Sequence, residues 1–462
     1  MTNIMLAADS YKHSHFLQYP PEARVISAYA EARHNEFSDR ILFFGLQPYL
    51  IDLLGTPITS AQIVEAAEIC AAHGVPFNRS GWEAILARHG GFLPLEIKAL
   101  AEGAIVPTGI PLVQVENTDP EMPWLTTFIE TALLRAIWYP TTVATLSWKC
   151  KQIIRAGLQK TSDDPEGQLP FKLHDFGARG VSSGESAALG GLAHLVNFMG
   201  TDTMEALLAA RRYYGATTMP GFSIPAAEHS TMTSWGRDRE EAAYANMLDS
   251  FDGKGRIVAV VSDSYDLDRA VAEIWGGSLK SRVQGREGVL VVRPDSGDPV
   301  ETPVRTVKTL WEKFGGSVNG KGFRVLDPHV RVIQGDGMNI SSIARLVTRM
   351  GDEGFAIDNI AFGMGGGLLQ QVNRDTLRFA MKANAMRDAD GEWRDVSKSP
   401  LTDPAKSSKA GRQAVVKQAD ALIAKRLDAL GMGETDLLAP VWRNGELLVR
   451  HTFEEVRARA DR

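Results

Sequence analysis

Between about Phe171 and Ala383 the chain repeats one pattern: a short β-branched or aromatic run, a glycine-rich or polar tip, then a helix-like stretch. This alternation is the signature of β/α units. The runs FKLH, GFSI, RIVAVV, GVLVV, HVRVI and NIAF lead into DFGARG, PAAEHST, SDSYD, RPDSGDP, QGDG and GMGGG. Strands so continuously apolar are buried on both faces, which requires a parallel sheet covered by helices. Closing that sheet gives a (β/α) barrel whose site lies where the strands end. An open doubly wound sheet also binds ligands at its carboxyl ends and is the competing architecture.

The flanks read differently. Residues 1–165 mix strand-like stretches such as RVISAYAEAR with helical ones such as SAQIVEAAEICAAHG, where apolar positions recur every three or four residues. After about Asn384 the chain is polar and lysine-rich and lacks periodicity through GEWRDVSKSPLTDPAKSSKAGR, before a helical run and a strand-like LLVRHTF. The expected α/β organisation is a (β/α) barrel-like domain over 166–383 and a second, mixed α+β lobe built from 1–165 and 384–462.

A chain of 462 residues with 44% hydrophobic composition can bury a large core. Its net charge of −6 and pI near 6.0 argue against a general nucleic-acid binder. Two cysteines, Cys70 and Cys150, make no disulfide framework and no CxxC zinc pair, which fits a reducing, cytoplasmic setting. The start, MTNIMLAADSYKHSH, lacks the basic lead-in and apolar run of a secretion signal, and no stretch approaches the roughly 20 apolar residues of a membrane span.

Each strand tip carries candidate chemistry. In GMGGGLLQ the dinucleotide spacing fails at Leu368. Consecutive glycines such as Gly365 and Gly366 at a strand-to-helix turn still expose backbone N–H groups, which suits a phosphate or a steric tight turn. Arg374 downstream offers a bidentate contact. RPDSGDP sets Arg293 and Asp295 two residues apart, either as a structural ion pair with a DSG turn or as a pair meeting an anion and sugar hydroxyls. Gly335 and Asp336 of QGDG repeat that mixture. SDSYD, from Ser262 to Asp266, offers two carboxylates and two hydroxyls, with a helix cap by Ser262 or Asp263 as the bland alternative. DFGARG supplies Phe176 as a flat apolar face and Arg179 as a cation. Together the tips suit a phosphorylated sugar and a flat heterocycle. No HxH, HExxH or cysteine cluster offers a transition-metal site, so Mg²⁺ carried by phosphates and held by carboxylates is the economical expectation. In IPAAEHSTM, His229 is open between a hydrogen-bonded structural role, metal ligation and acid-base work.

The segments DSYKHSH, ENTDPE, KLHDFGARGVSS, HLVNFMGTDT, IPAAEHST, VVSDSYD, RPDSG, VIQGDG, IAFGMGGGLLQ and TDPAKSSKAGR resemble, in order, those of the nicotinamide phosphoribosyltransferase family. The resemblance implies a homodimeric type II phosphoribosyltransferase with active sites at the subunit interface. It joins nicotinamide to 5-phosphoribosyl 1-pyrophosphate with Mg²⁺ and is stimulated by ATP hydrolysis. It implies that Phe176 stacks on the pyridine ring, with Tyr11 from the partner subunit on the other face and Arg179 beside the amide. Asp202 of GTDT accepts the amide N–H, and Arg293 and Asp295 hold the ribose and phosphate region. Gly335, Asp336, Gly365 and Gly366 line the ribose and 5′-phosphate site, and Arg374, Lys398 and Lys406 meet phosphates. His229 becomes a histidine transiently phosphorylated by ATP. Two positions depart from the family: Ala178 replaces a tyrosine of animal members, and Met364 replaces a serine in the glycine loop.

A pyridine nitrogen carries a free lone pair, so its attack on ribose needs no general base, which fits tips rich in binding groups rather than a triad. Nicotinate phosphoribosyltransferase is the near rival. A barrel aldolase or isomerase for phosphosugars would need a Schiff-base lysine at a tip, where only Lys172 inside FKLH is available. A non-catalytic binding protein is the remaining class.

Overall fold

The computed structural model describes residues 3–399, 407–419 and 421–461. It divides into two compact units, one of Met1–Thr145, Arg211–Ala216 and Asn373–Arg462, the other of Leu146–Ala210 and Thr217–Val372.

The second unit holds the β/α repeat. Its strands β1 (Leu173–Asp175), β2 (Gly200–Thr201), β3 (Ile257–Val261), β4 (Val289–Arg293), β5 (Val330–Gln334) and β6 (Ile360–Met364) form one parallel sheet in the order β2-β1-β6-β5-β4-β3. Phe222 bridges Gly200 of β2, and Ala226 bridges Ala259 of β3, so one short segment joins both edges and the sheet curls round. This segment contains GFSI, which the sequence suggests as a regular strand. It is irregular instead, because Pro220 and Pro225 lack the N–H groups that a ladder needs. Its remaining donors and acceptors are used singly: Phe222 O accepts from Thr201 N at 3.0 Å and Pro225 O from Ala259 N at 2.9 Å.

Alternation along the strands sorts the core into two faces. Ala259, Val291 and Ile333 meet inside the curl, with Phe176, Ile224 and Ala361 packed against them. Val258, Val260, Leu290, Val292 and Val332, of opposite parity, are fully buried on the other face. Helices begin where side chains can cap them. Ser183 accepts from Ser186 N at 3.1 Å at the start of α1 (Gly184–Leu195), and Glu228 opens the single-turn α2 (His229–Thr233). Asn339 accepts from Ser341 N and Ser342 N to begin α3 (Ile340–Asp352), which buries Ile343, Leu346 and Met350 along one face. The glycine tip after β6 runs into α4 (Gly366–Leu369), only four residues long.

In the first unit a seven-stranded antiparallel sheet interleaves both ends of the chain. Val25–Glu31, buried at every position, lies between Pro111–Asn117 and Ala380–Arg387. The helix Ser60–His73 starts with a Thr59/Gln62 capping box and stops at Gly74, whose φ of +84° favours glycine. The expected helical run after Arg412 is corrected: Gln413–Gln418 and Ala421–Arg426 pair as an antiparallel hairpin. Val415, Val416 and Ile423 favour the pleat, and Ala419 takes a positive φ of 50° where the chain turns. The strand-like LLVRHTF is mostly irregular. Only Glu446–Leu447 pairs, and Thr452 caps a helix over Phe453–Ala460. Among the described residues no helix is long and apolar enough to cross a membrane.

Candidate active site

His229 sits at the first position of α2, after the irregular segment that bridges β2 and β3. Glu228 holds this turn from outside. Its N–H donates to Thr231 Oγ1 at 3.3 Å and its carboxylate faces the Thr231 N–H, a capping box, while the carboxylate also accepts from the Ser230 hydroxyl. The imidazole points to the tips of β3 and β4. Nε2 lies 3.1 Å from Asp263 Oδ1, and Nδ1 lies 3.7 Å from Asp295 Oδ2. The sequence offers Asp263 as one of two carboxylates at this tip or as a helix cap, without a specific partner. Its side chain is 4% exposed, and it also accepts from Asp295 N at 3.2 Å and from the Ser296 hydroxyl. The Asp263 carboxylate can only accept, so in the neutral ring Nε2 is the nitrogen that carries the proton and Nδ1 the one that carries the lone pair.

The β4 tip brings Arg293 and Asp295 together, with Nε 3.8 Å from Oδ1. Arg293 Nε is buried and makes no hydrogen bond within the chain. Burial pushes the Asp295 carboxyl above the usual carboxylate range. Arg293 and His229 pull it back, while Asp263 and Asp336 push it further up. At the β3 tip Ser262 is turned inward and fully buried, donating to Val260 O and accepting from Trp275 Nε1, each at 3.0 Å. Asp266 faces solvent and caps the next turn by accepting from Arg269 N at 3.0 Å. The cap of this tip is therefore Asp266, not Ser262 or Asp263.

Phe176 is half-buried over the glycine tips, its N–H donating to Met364 O at 3.0 Å. A Cβ on Gly363 would overlap Phe176 Cε2, and one on Gly335 would come within 3.3 Å of the ring. These glycines therefore make room for an aromatic face. Met364 has its side chain buried in the core, while its carbonyl accepts from Phe176 N. Gly365 and Gly366 are half-buried beside this tip, Asp336 is exposed, and Gln334 Nε2 donates to Asp336 O at 2.9 Å. Arg179 is exposed, with Ala178 half-buried before it. Asp202, after β2, is exposed, and its carboxylate accepts from the Ser223 hydroxyl. At the opposite, amino end of β1, the Lys172 ammonium donates to the carbonyls of Ile357, Asp358 and Ile360 at 2.9 to 3.1 Å.

The other expected residues belong to the first unit. Tyr11 is 58% exposed on the helical turn Ser10–Leu17. Arg374 is exposed and donates twice to Asp375 Oδ1, at 2.8 and 3.1 Å. Lys398 is exposed, its backbone exchanging hydrogen bonds with Ser408, and Lys406 lies outside the described residues. Two further cations accompany Lys398. Burial, with Arg33, Lys398 and Lys12 nearby, holds the Lys382 ammonium below the usual lysine range against the pull of Glu130. Arg33 Nε and Nη2 are buried without a hydrogen bond. Neither stands in a recognisable motif: Arg33 follows the strand Val25–Glu31, and Lys382 lies within Ala380–Arg387.

A family model described as the nicotinate phosphoribosyltransferase (NAPRTase) family matches residues 171–429, and one described as the nicotinamide phosphoribosyltransferase N-terminal domain matches residues 3–97. A nicotinamide phosphoribosyltransferase of Xanthomonas campestris pv. campestris is 53% identical over all of this chain and 98% of its own length. One of Acinetobacter baylyi is 32% identical over 99% of this chain and 97% of its own length. Among solved structures, a nicotinate-nucleotide pyrophosphorylase from Pyrococcus furiosus matches with a TM-score of 0.63 and 15% identity, over 99% of this chain and 95% of its own. Human nicotinic acid phosphoribosyltransferase matches with a TM-score of 0.60 and 17% identity, over 98% and 92%. At these identities the two structures speak for the fold.

Proposed function

Because the chain belongs to the nicotinate phosphoribosyltransferase (NAPRTase) family, and within it to the nicotinamide phosphoribosyltransferases, we propose how its residues divide the work of that reaction. The enzyme transfers 5-phosphoribosyl from 5-phosphoribosyl 1-pyrophosphate to nicotinamide, giving nicotinamide mononucleotide and pyrophosphate in NAD biosynthesis. The bond between the pyridine nitrogen and ribose C1 forms as the bond from C1 to pyrophosphate breaks. No proton moves.

Phe176 stacks on the pyridine ring, and Tyr11 from a second subunit of a homodimer covers the other face. Asp202 accepts from the carboxamide NH₂ and repels the carboxylate of nicotinate. Arg179 flanks the amide. Arg293, with a guanidinium N–H free for an anion, meets the phosphate region, and Asp295 accepts from ribose hydroxyls. Backbone N–H groups of Gly335, Gly365 and Gly366, with Asp336, Ser262 and Asp266 at the neighbouring tips, frame the ribose 5′-phosphate. Arg374, Lys398 and Lys406, joined by Arg33 and Lys382, balance pyrophosphate charge. Held in line, base and sugar gain roughly 7 to 11 kcal/mol from orientation.

Among the described residues no group of three or more His, Cys, Asp or Glu is placed to hold a metal ion. Asp295 and Asp336, the second near enough to push the first's carboxyl up, would suit a Mg²⁺ that arrives on the pyrophosphate. Held there, it would supply neutralisation of the leaving-group charge.

ATP stimulates the reaction through His229. Its Nδ1 lone pair attacks the γ-phosphorus of ATP, the Nδ1–P bond forms, the bond to ADP breaks, and Asp263 keeps the Nε2 proton. The observation that carries this reading is the imidazole held between Asp263 and Asp295. The Schiff-base alternative loses its lysine, because Lys172 is bound by three carbonyls at the wrong end of β1. A cytoplasmic setting suits these soluble substrates.

Mononucleotide formation from phosphoribosyl pyrophosphate, Mg²⁺ and either nicotinamide or nicotinate, with and without ATP, tests the whole reading. Product from nicotinamide, increased by ATP, is expected. No product from either base would overturn it.

A further inference from the structure

Asp175 ends β1 and immediately precedes Phe176, yet its side chain never meets the site: the residue is fully buried. Its hydrogen bonds run in two directions. Oδ1 accepts from Gly177 N at 2.7 Å, just beyond Phe176. Oδ2 accepts from Thr201 Oγ1 at 3.5 Å, and the Asp175 carbonyl accepts from Asp202 N at 2.9 Å. Thr201 Oγ1 in turn accepts from Thr203 N at 3.0 Å, closing the turn that carries Asp202.

The surroundings are cleared for this carboxylate. A Cβ on Gly177 would meet Leu369 Cγ at 2.6 Å and then Oδ1 at 3.0 Å, and one on Gly191 of α1 would meet Ala206 Cβ at 2.8 Å, Thr203 Cγ2 at 3.0 Å and Oδ2 at 3.1 Å, so both glycines leave room for the junction that includes this carboxylate. An apolar side chain would avoid the desolvation that Asp175 suffers, but it would leave the Gly177 N–H and the Thr201 hydroxyl unpaired in the interior. A buried carboxylate is thus retained where only its two-sided hydrogen bonding distinguishes it from a hydrophobic residue.

We propose that Asp175 is a positioning residue that fixes the spacing between Phe176 and Asp202, and so couples stacking of the pyridine ring to recognition of its amide. The inference rests on the roles given above to Phe176 and Asp202. Neither face of the pyridine nor the amide touches Asp175. Its influence is confined to the geometry of the two side chains that do.

Steady-state kinetics of Asp175→Ala, Asp175→Asn and Gly191→Ala, with nicotinamide and phosphoribosyl pyrophosphate varied separately, test the idea. Asp175→Ala is expected to raise the KM for nicotinamide by about tenfold or more, as sub-ångström to ångström misplacement does, and to narrow the preference for nicotinamide over nicotinate. The KM for phosphoribosyl pyrophosphate should stay unchanged. Asp175→Asn keeps an acceptor for Gly177 N–H and should recover most of the loss. Gly191→Ala, which crowds Ala206, Thr203 and Asp175 Oδ2 together from α1, should reproduce the nicotinamide defect in a folded protein even if Asp175→Ala fails to fold. Equal changes in both KM values, or a Gly191→Ala enzyme with wild-type nicotinamide kinetics, would overturn the proposal. Asp202→Ser run alongside separates the two layers. If it keeps the full preference for nicotinamide, the role of Asp202 itself falls; if it relaxes the preference while the Asp175 variants do not, only the coupling through Asp175 falls.

Discussion

His229 Nε2 lies 3.1 Å from Asp263 Oδ1, and the same carboxylate ties down the tip that carries Asp295 through Asp295 N and the Ser296 hydroxyl. One buried acid therefore sets both the tautomer of the imidazole and its distance from the second carboxylate. Asp263→Asn keeps the shape but presents an amide that can reverse the hydrogen bond. ATP hydrolysis is expected to fall on the order of 100-fold or more, as loss of an aligned proton partner does, while ATP-independent mononucleotide formation persists. A coupled ADP-release assay reads the first and mononucleotide chromatography the second; intact hydrolysis would detach Asp263 from the histidine.

Asp202 stands exposed after β2 with its carboxylate already accepting one hydroxyl, from Ser223. On the proposed role, Asp202→Ser removes the negative charge that would oppose nicotinate. The ratio of kcat/KM for nicotinamide to that for nicotinate should drop by about tenfold or more, since one unfavourable charge contact of a kcal/mol or two is worth that factor.

Much of this was readable because the chemistry of the strands and tips is local. RIVAVV, GVLVV and HVRVI are apolar at both parities, and only a sheet buried on both faces accepts that pattern. What stayed hidden depends on distant partners. Asp263 looks like a helix cap until His229, 34 residues away, is seen against it, and the capping belongs to Asp266. GFSI reads as a strand by composition, but its flanking prolines withhold the donors. The Gln413–Arg426 hairpin is misread because QAVVKQ and ALIAKR carry enough alanine, lysine and leucine to suit a helix, and their cross-strand pairing outweighs that propensity. Arg33 and Lys382 carry no motif, and their proximity to Lys398 arises only in the folded unit.

The Phe176 ring occupies space that a side chain at Gly363 would need. Gly363→Ala should cost about 1 to 3 kcal/mol of stability, as overpacking does, and should raise the KM for nicotinamide by displacing the ring. Gly366→Ala is the informative contrast. Nothing lies within 4 Å of its Cβ position, so its melting temperature should match the wild type. Differential scanning calorimetry of both variants checks the pair, and equal melting temperatures for Gly363→Ala and the wild type would contradict the packing.

Burial, with a smaller push from Asp202, raises the Asp175 carboxyl from 3.8 to about 6, despite the hydrogen bonds from Gly177 and Thr201. The folded protein therefore holds this proton more tightly than the unfolded chain. The associated stability is full below pH about 4 and is lost as pH rises to about 6, amounting to at most ~3 kcal/mol. Asp175→Asn cannot ionise. Relative to the wild type it should gain stability between pH 4 and pH 7, read as a change in the difference between their denaturation midpoints. A difference independent of pH would place the Asp175 titration elsewhere.

The phosphoenzyme is tested most directly by incubating the protein with γ-labelled ATP and Mg²⁺ and mapping protein-bound label after an alkaline quench, where phosphohistidine survives. Label on the peptide containing His229, released by acid and missing from His229→Ala, is the predicted result. Equal labelling of His229→Ala, or ATP hydrolysis by that variant at the wild-type rate, would contradict it and return His229 to a structural role.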